Sequence, residues 1–399
     1  MSSEGPAMTT ATPAGLPRSR LLAIVLFAAI VPCVLMAAPA IATQYALQLG
    51  LGPAQIGQLF SAELAAMSLA TLPAYLWQPR LDWRLVARGA ALLFIVANLA
   101  SAWVSAFHPL MALRVVSALA GGTLMVLCIA SAAQSQDRDR VYGLWVMGQL
   151  VLGAIGLWLL PPLFARFGLQ ALYLGLALLM LLCLPLAGSF QAMAASTRAP
   201  VRERGGLGWR ALLALFAVLA FYVGLSGVWT FIGSIASAAA IDPASSGRIL
   251  AIATLLGIAG AACAALIGRR WPRGAMLLLG YGLMAGAVLL LLDQPGLARF
   301  ATAALVFKYT WTFALPFILA CLADLDRDGR LMNTTNLLIG GGLALGPAIA
   351  GPLLESSAGM RGVLLLSATC LLLSFAALSV SRLRAGEPTP SLDDNGVQP

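Results

Sequence analysis

Twelve long apolar stretches, each bounded by charged residues or by Pro/Gly breaks, follow one another along the chain. They lie at 21–43, 55–77, 87–106, 109–133, 142–165, 170–189, 210–237, 247–268, 275–292, 299–322, 331–354 and 362–382. About 20 mainly apolar residues suffice for a helix to cross a bilayer. A soluble fold has no means of covering this much apolar surface: 60% of the 399 residues are hydrophobic and 10% are charged, whereas a soluble domain carries roughly a quarter charged residues. The bilayer is therefore read as the solvent. Each stretch is expected to be a helix, because backbone polar groups in hydrocarbon must be satisfied within their own segment. Residues 1–20 are polar and carry Arg18 and Arg20. The apolar run that follows is too long for a secretory signal and is succeeded by eleven more, so it reads as the first span.

The net charge of +9 does not point to nucleic acid, because the arginines sit in short clusters between apolar runs. They act instead as topology signals. With both termini in the cytoplasm, the cytoplasmic segments hold eighteen of the 24 cations: Arg18, Arg20, Arg80, Arg84, Arg88, Arg138, Arg140, Arg198, Arg202, Arg204, Arg210, Arg269, Arg270, Arg273, Arg327, Arg330, Arg382 and Arg384. The outer loops hold four, Arg166, Arg248, Arg299 and Arg361, and two more, Arg114 and Lys308, fall inside spans.

The longest polar connection divides the chain in two. The expected organisation is a cytoplasmic tail (1–20), a six-helix bundle (21–190), a cytoplasmic linker (191–209), a second six-helix bundle (210–384) and a cytoplasmic tail (385–399). The halves echo each other. Asp137-Arg138-Asp139-Arg140 precedes a span with Gly148, Gly153, Gly156 and Pro162. Asp326-Arg327-Asp328-Gly329-Arg330 precedes one with Gly341, Gly342, Gly346, Gly351 and Pro352. No strand precedes these glycines and no Lys-Ser/Thr follows, so they read as sites of close helix approach rather than a phosphate cradle.

In this architecture, over roughly residues 21–384, the chain resembles the major facilitator superfamily. Arg114 followed by Gly121-Gly122 is similar to that family's fourth-helix Arg/Gly motif, and Gly346-Pro347 with Gly351 is similar to its Gly-Pro pattern in helix 11. The family signature between helices 2 and 3 is reduced here to Arg80-Leu81-Asp82-Trp83-Arg84, without its glycines. Helix 5 reads Gly153-Ala154-Ile155-Gly156, lacking the proline of many proton-driven drug exporters. The resemblance implies an all-α membrane protein of twelve transmembrane helices in two parallel six-helix repeats. It also implies a solute site near the midplane between them, alternating access and a monomer.

Three ionisable side chains fall within spans, where their cost makes them functional candidates: Glu63, Arg114 and Lys308. Counting along the helices places Glu63 and Lys308 about 14 Å from the outer ends and Arg114 about 7–9 Å. Glu63 and Lys308 are thus expected to face one central cavity. Glu63 is the one carboxylate within a span. A carboxyl that alternates between apolar surroundings and a neighbouring cation can load and release a proton, and a permanent structural pair with Arg114 is the competing reading. Lys308 is the single lysine beside twenty-three arginines. Unlike guanidinium, an ammonium can shed its proton or hold an anion as a point charge. One helical face joins Lys308 to Trp311, Thr312 and Leu315.

Further candidates for the cavity wall are Tyr222, Ser226 and Trp229 on span 7, Trp145 and Gln149 on span 5, and Asn333 and Asn336 on span 11. Packing hydrogen bonds between helices are the alternative use of such side chains. Pro32, Pro39 and Pro316 are expected to bend spans 1 and 10.

The residues and the resemblance together point to a proton-coupled transporter of a small organic solute in a bacterial inner membrane. An anion is favoured because the embedded charges sum to a net positive one. A proton-antiport drug efflux pump, or a non-transporting sensor of the same fold, are the alternatives. An enzyme is disfavoured: the lone histidine, His108, lies at an outer helix junction, and the six cysteines are scattered singly, with no metal-ligand spacing. No cofactor is expected.

Overall fold

The computed structural model describes residues 16–135, 137–191, 208–268, 270–326 and 330–382. Most of the predicted linker, both outer tails, and Arg198, Arg202, Arg204, Arg269, Arg327 and Arg384 lie outside them. The regular structure is helical. The first part of the chain forms α1 (Arg18–Ile30), α2 (Cys33–Met36), α3 (Ala38–Leu49), α4 (Pro53–Leu69), α5 (Thr71–Trp77), α6 (Trp83–Ser101), α7 (Phe107–Ala132), α8 (Arg138–Phe167) and α9 (Gln170–Cys183), which runs into a 3₁₀ segment (Leu184–Ser189). The second forms α10 (Trp209–Ala238), α11 (Pro243–Ile267), α12 (Arg273–Leu289), α13 (Leu297–Leu325), α14 (Arg330–Glu355) and α15 (Gly359–Arg382).

Every predicted apolar stretch coincides with helix, but not one for one. The first is divided into three and the second into two, so the expectation of twelve continuous helices is not met. Proline chemistry explains the divisions, because a prolyl nitrogen has no hydrogen to give and its ring clashes with the preceding turn. Pro32 stands between α1 and α2, Pro39 opens α3, and Pro73 lies in the first turn of α5. Pro316, expected to bend its helix, is carried inside a continuous α13. Nine helices among the described residues are long and apolar enough to cross a membrane, with mean hydropathy from 1.5 to 2.4. The broken pieces and the 17-residue α12 are shorter.

Aspartates start the helices after the loops. Asp82 caps α6 through the Arg84 amide (2.9 Å), Asp137 caps α8 through the Arg140 amide (3.2 Å), and Asp242 caps α11 through the Ser245 amide (3.0 Å). Asp326 accepts from the Leu331 amide at 3.3 Å in the second part. The repeated Asp-Arg motif thus has a local cause: its first Asp satisfies an orphan helical N–H.

Cross-links tie the helix ends into two faces. At the proximal face, where α1 begins, Arg20 reaches the Ser189 carbonyl (3.1 Å), Gln134 (3.4 Å) and Gln191 (2.8 Å), and Arg273 pairs with Asp324. At the distal face, Gln48 accepts from the Leu169 amide (2.7 Å) and Glu355 accepts from the Ala54 amide (2.9 Å).

The two parts, α1–α9 and α10–α15, meet along α4–α14, α8–α11 and α3–α10. These seams run from mid-depth to the distal face. A Cβ at Gly57 would collide with the Pro347 carbonyl, and one at Gly351 with that of Pro53. One at Gly233 would come within 2.6 Å of the Pro39 carbonyl and of the Thr43 hydroxyl. Absence of side chains lets the backbones touch, and a cavity of about 270 Å³ remains in the distal part of the seams, lined by Pro39, Thr43, Pro161 and Gly233. The glycines expected to allow close approach do so: Gly148 meets α1, Gly153 and Gly156 meet α2 and Ala37 beyond it, and Gly342 and Gly346 meet α10, whereas Gly341 faces open space.

Candidate functional site

Two buried cations organise the interior, one in each part. Arg114, on α7, is 1% exposed. Its Nη2 lies 3.5 Å from Glu63 Oε1 on α4, and its Nη1 donates to Asn98 Oδ1 on α6 at 2.9 Å. Asn98 is itself fixed, donating to Ser117 Oγ (2.9 Å) and to the Phe94 carbonyl (2.8 Å). The guanidinium also lies 5.0 Å from the Tyr173 ring centroid, and the Tyr173 hydroxyl bonds that of Tyr45 at 2.7 Å. The charge is thus neutralised and held from several sides.

The pairing is incomplete at three atoms. Glu63 Oε2, Arg114 Nε and Arg114 Nη2 have no hydrogen-bond partner, so the Arg114–Glu63 contact is an ion pair without a hydrogen bond. Glu63 borders a cavity of about 20 Å³ lined also by Pro32, Leu35, Phe60 and Ser117, room for about one water. That cavity abuts the break between α1 and α2.

Lys308, on α13, is also 1% exposed, but its surroundings differ. Its Nζ sits 3.9 Å from the Trp229 ring centroid and 4.1 Å from that of Trp311. The two indoles meet edge-on, 6.2 Å apart at 83°. Among the described residues no carboxylate pairs with this ammonium. Cation–π attraction in a desolvated site contributes about 2 kcal/mol, which stabilises the charge without neutralising it.

The remaining candidates separate into two groups. Trp229 and Trp311 form the aromatic walls, and Tyr222 lies against Trp311. Thr312 and Ser226 are engaged in packing: Thr312 Oγ1 donates to the Gly257 carbonyl of α11 at 2.6 Å, and Ser226 Oγ to the Gly342 carbonyl of α14 at 3.2 Å. Trp145 packs against Tyr142 on its own helix, and Gln149 is half-buried. Among the described residues neither makes a hydrogen bond or ring contact with Lys308. Asn336 is exposed, and the Asn333 side chain lies outside the described residues.

The Glu63 pairing was one of the two readings the sequence left open, but the partners Asn98 and Tyr173 were not brought out. Asn98 was the available signal, a lone amide inside an otherwise apolar helix, where polar groups are expected to have partners. Nor does the structure join Glu63 directly to Lys308. It connects them indirectly, because the Trp229 indole N–H donates to the Leu35 carbonyl at 2.9 Å, and Leu35 borders the Glu63 cavity.

Comparisons with known proteins agree with this architecture. A solved structure of the nucleoside transporter NupG superposes with a TM-score of 0.69 at 13% identity, covering 92% of this chain and 100% of that one. A point mutant of NupG gives the same score and identity, covering 91% of this chain and 100% of that one. A bacterial homologue of the human lysosomal transporter Spinster, in an inward-facing and unoccupied conformation, superposes with a TM-score of 0.60 at 16% identity, covering 92% of this chain and 95% of that one. At these identities the likeness is one of fold. Among curated protein sequences none matches. The sequence model of the Major Facilitator Superfamily matches residues 21–331, and the chain, a multi-pass membrane transport protein, belongs to that superfamily.

Proposed function

We propose that this chain is a proton-coupled secondary transporter of a small organic anion in a bacterial inner membrane. It crosses the bilayer twelve times as two six-helix bundles, the broken stretches 18–49 and 53–77 each counting as one crossing. The proximal face is cytoplasmic, a reading supported by the arginine bias toward that face. The distal face is then the outer one, where the two parts are in close backbone contact. The protein works as a monomer, with solute and protons as its partners and no cofactor.

The observation that carries the reading is the Lys308 ammonium, buried, held by two indole faces and unpaired by any carboxylate among the described residues. A buried cation is costly unless compensated, and an incoming carboxylate or similar anion supplies the missing charge. Trp229, Trp311 and Tyr222 give that anion an aromatic wall. Glu63 carries the proton: its free Oε2, next to the small cavity at the α1–α2 break, is where a proton is accepted once Arg114 swings away. Arg114 gates this exchange.

The test is solute accumulation and proton movement in proteoliposomes under an imposed pH gradient, with a panel of small carboxylates and with uncharged nucleosides as the comparison set. Glu63→Gln is expected to abolish gradient-driven accumulation while leaving solute exchange. Lys308→Ala is expected to abolish both. Native-like accumulation by both variants overturns the site assignment, and transport of nucleosides in preference to carboxylates overturns the anion preference.

A further inference from the structure

Trp229 makes two contacts with opposite parts of one side chain. Its ring face carries the Lys308 ammonium at 3.9 Å. Its indole N–H crosses from the second part of the molecule to the first, donating to the Leu35 carbonyl at 2.9 Å. Leu35 is not an arbitrary acceptor. In an uninterrupted helix its carbonyl would take the amide hydrogen of residue 39, but residue 39 is proline and has none. Pro39 therefore leaves the carbonyl without its ordinary donor in a buried stretch; the Ala37 amide reaches it within the turn, and the indole of a residue 194 positions away donates to it as well. One turn further out on α10, Gly233 meets Pro39 and Thr43, so the Trp229–Leu35 bond lies at the inner edge of the α3–α10 seam, a contact between the two parts that borders the distal cavity these residues line.

We infer that Trp229 is a positioning residue that couples occupancy of the Lys308 site to closure of the distal face. With the site empty, the ammonium stacks on the ring and holds the indole edge toward Leu35. An anion that draws the ammonium away removes the contact that orients the ring. The indole then leaves Leu35, and the seam beyond it parts. Because Leu35 borders the Glu63 cavity, the same movement alters the surroundings of the carboxyl. The coupling step rests on the reading of Lys308 as the solute contact. The indole–carbonyl latch can be tested without any solute.

The experiment measures spin-label distances in the full-length protein in nanodiscs, with Cys263 and Cys370 replaced by serine. One label pair reports the distal face (Ser105→Cys with Ala298→Cys) and another the proximal face (Leu81→Cys with Trp271→Cys), all four positions being exposed. Trp229→Phe keeps an aromatic face for Lys308 and deletes only the donor. It is expected to raise the ratio of distal-open to distal-closed molecules about fivefold, the scale of one hydrogen bond, with the proximal pair drawing together reciprocally. Pro39→Ala restores an amide donor for Leu35 and makes the indole redundant. Added to Trp229→Phe, it is expected to return the distances toward native, a rescue that a purely packing role for the indole would not produce.

Native-like distances in Trp229→Phe, or broadening at both faces without reciprocity, overturn the inference. If Trp229→Phe shifts the distances while Lys308→Ala transports like the native protein, the latch stands and the solute reading falls. If Lys308→Ala abolishes transport while Trp229→Phe leaves the distances unchanged, the reverse holds.

Discussion

Arg114 on α7 and Lys308 on α13 lie one in each part of the molecule and each is almost completely buried, yet their surroundings differ in kind. Arg114 is met by a carboxylate, an amide and an aromatic ring, while Lys308 is met by aromatic faces alone. A buried ion pair with good partners is close to energetically neutral overall but costly to break. An ammonium over indoles keeps its charge available. The contrast is between a cation whose charge is met within the protein and one whose charge is left open; in the proposed function the first gates Glu63 and the second meets the solute.

The sharpest way to break this comparison is to remove the arginine. Arg114→Leu leaves Glu63 buried without its partner and is expected to destabilise the protein by about 3–5 kcal/mol, read as a lower thermal midpoint in detergent. The double variant Glu63→Gln with Arg114→Gln should recover most of that loss. Lys308→Ala is expected to do the opposite: transport falls about 100-fold, while stability drops by no more than about 2 kcal/mol, the scale of the lost cation–π contacts. A thermal midpoint as low as that of Arg114→Leu would erase the distinction between the two sites.

A smaller effect is expected at Asn98. Asn98→Leu deprives Arg114 Nη1 and Ser117 of their partner and should cost about 1–3 kcal/mol, the penalty of a buried polar group left unpaired. Transport per folded molecule should stay near native, which flux normalised to monodisperse protein would report. The smallest effect belongs to Glu355, which reaches across the distal seam to cap α4 through the Ala54 amide. Glu355→Gln retains an acceptor but loses the charge that favours a helix N-terminus. It should raise the distal-open ratio about twofold by the same label pair. A shift larger than that of Trp229→Phe would move the principal latch from the indole to the carboxylate.

Much of the helix order was legible in the chain. The stretch 87–106 became α6 and 109–133 became α7 within a few residues, because an apolar run flanked by Arg88 and by the Trp103–Phe107 junction has few other ways to satisfy its backbone. Pro32, Pro39 and Pro316 were all legible as sites of bending for an equally local reason, a missing amide hydrogen. That the first two divide their stretch while α13 runs on through Pro316 was not, because how far a helix yields at a proline depends on what surrounds it, and α13 is supported along its length by α11 and α12.

The functional residues were legible as types and not as partners. The cost of charge in hydrocarbon singled out Glu63, Arg114 and Lys308. Estimates of depth along separate helices set Arg114 well above Glu63, yet the two side chains meet at 3.5 Å, because helix tilt and side-chain length absorb the difference. Thr312 and Ser226 carried a helical period compatible with a cavity wall and turned out to bond backbone carbonyls of α11 and α14. A hydroxyl's choice between solute and neighbour is made by the rotation of adjacent helices, which periodicity on one helix does not contain.

By itself, the sequence determined the solvent, the succession of apolar helices and the proline bends of the first span. All of these follow from hydropathy, charge and backbone chemistry acting over a few residues at a time. Only the tertiary structure decided that Glu63 answers Arg114 rather than Lys308, that two tryptophans hold the lysine, and that one of them completes the hydrogen bonding of a helix broken 194 residues earlier. Those pairings depend on how helices distant in the chain are rotated and brought side by side, and packing across the two halves settles that.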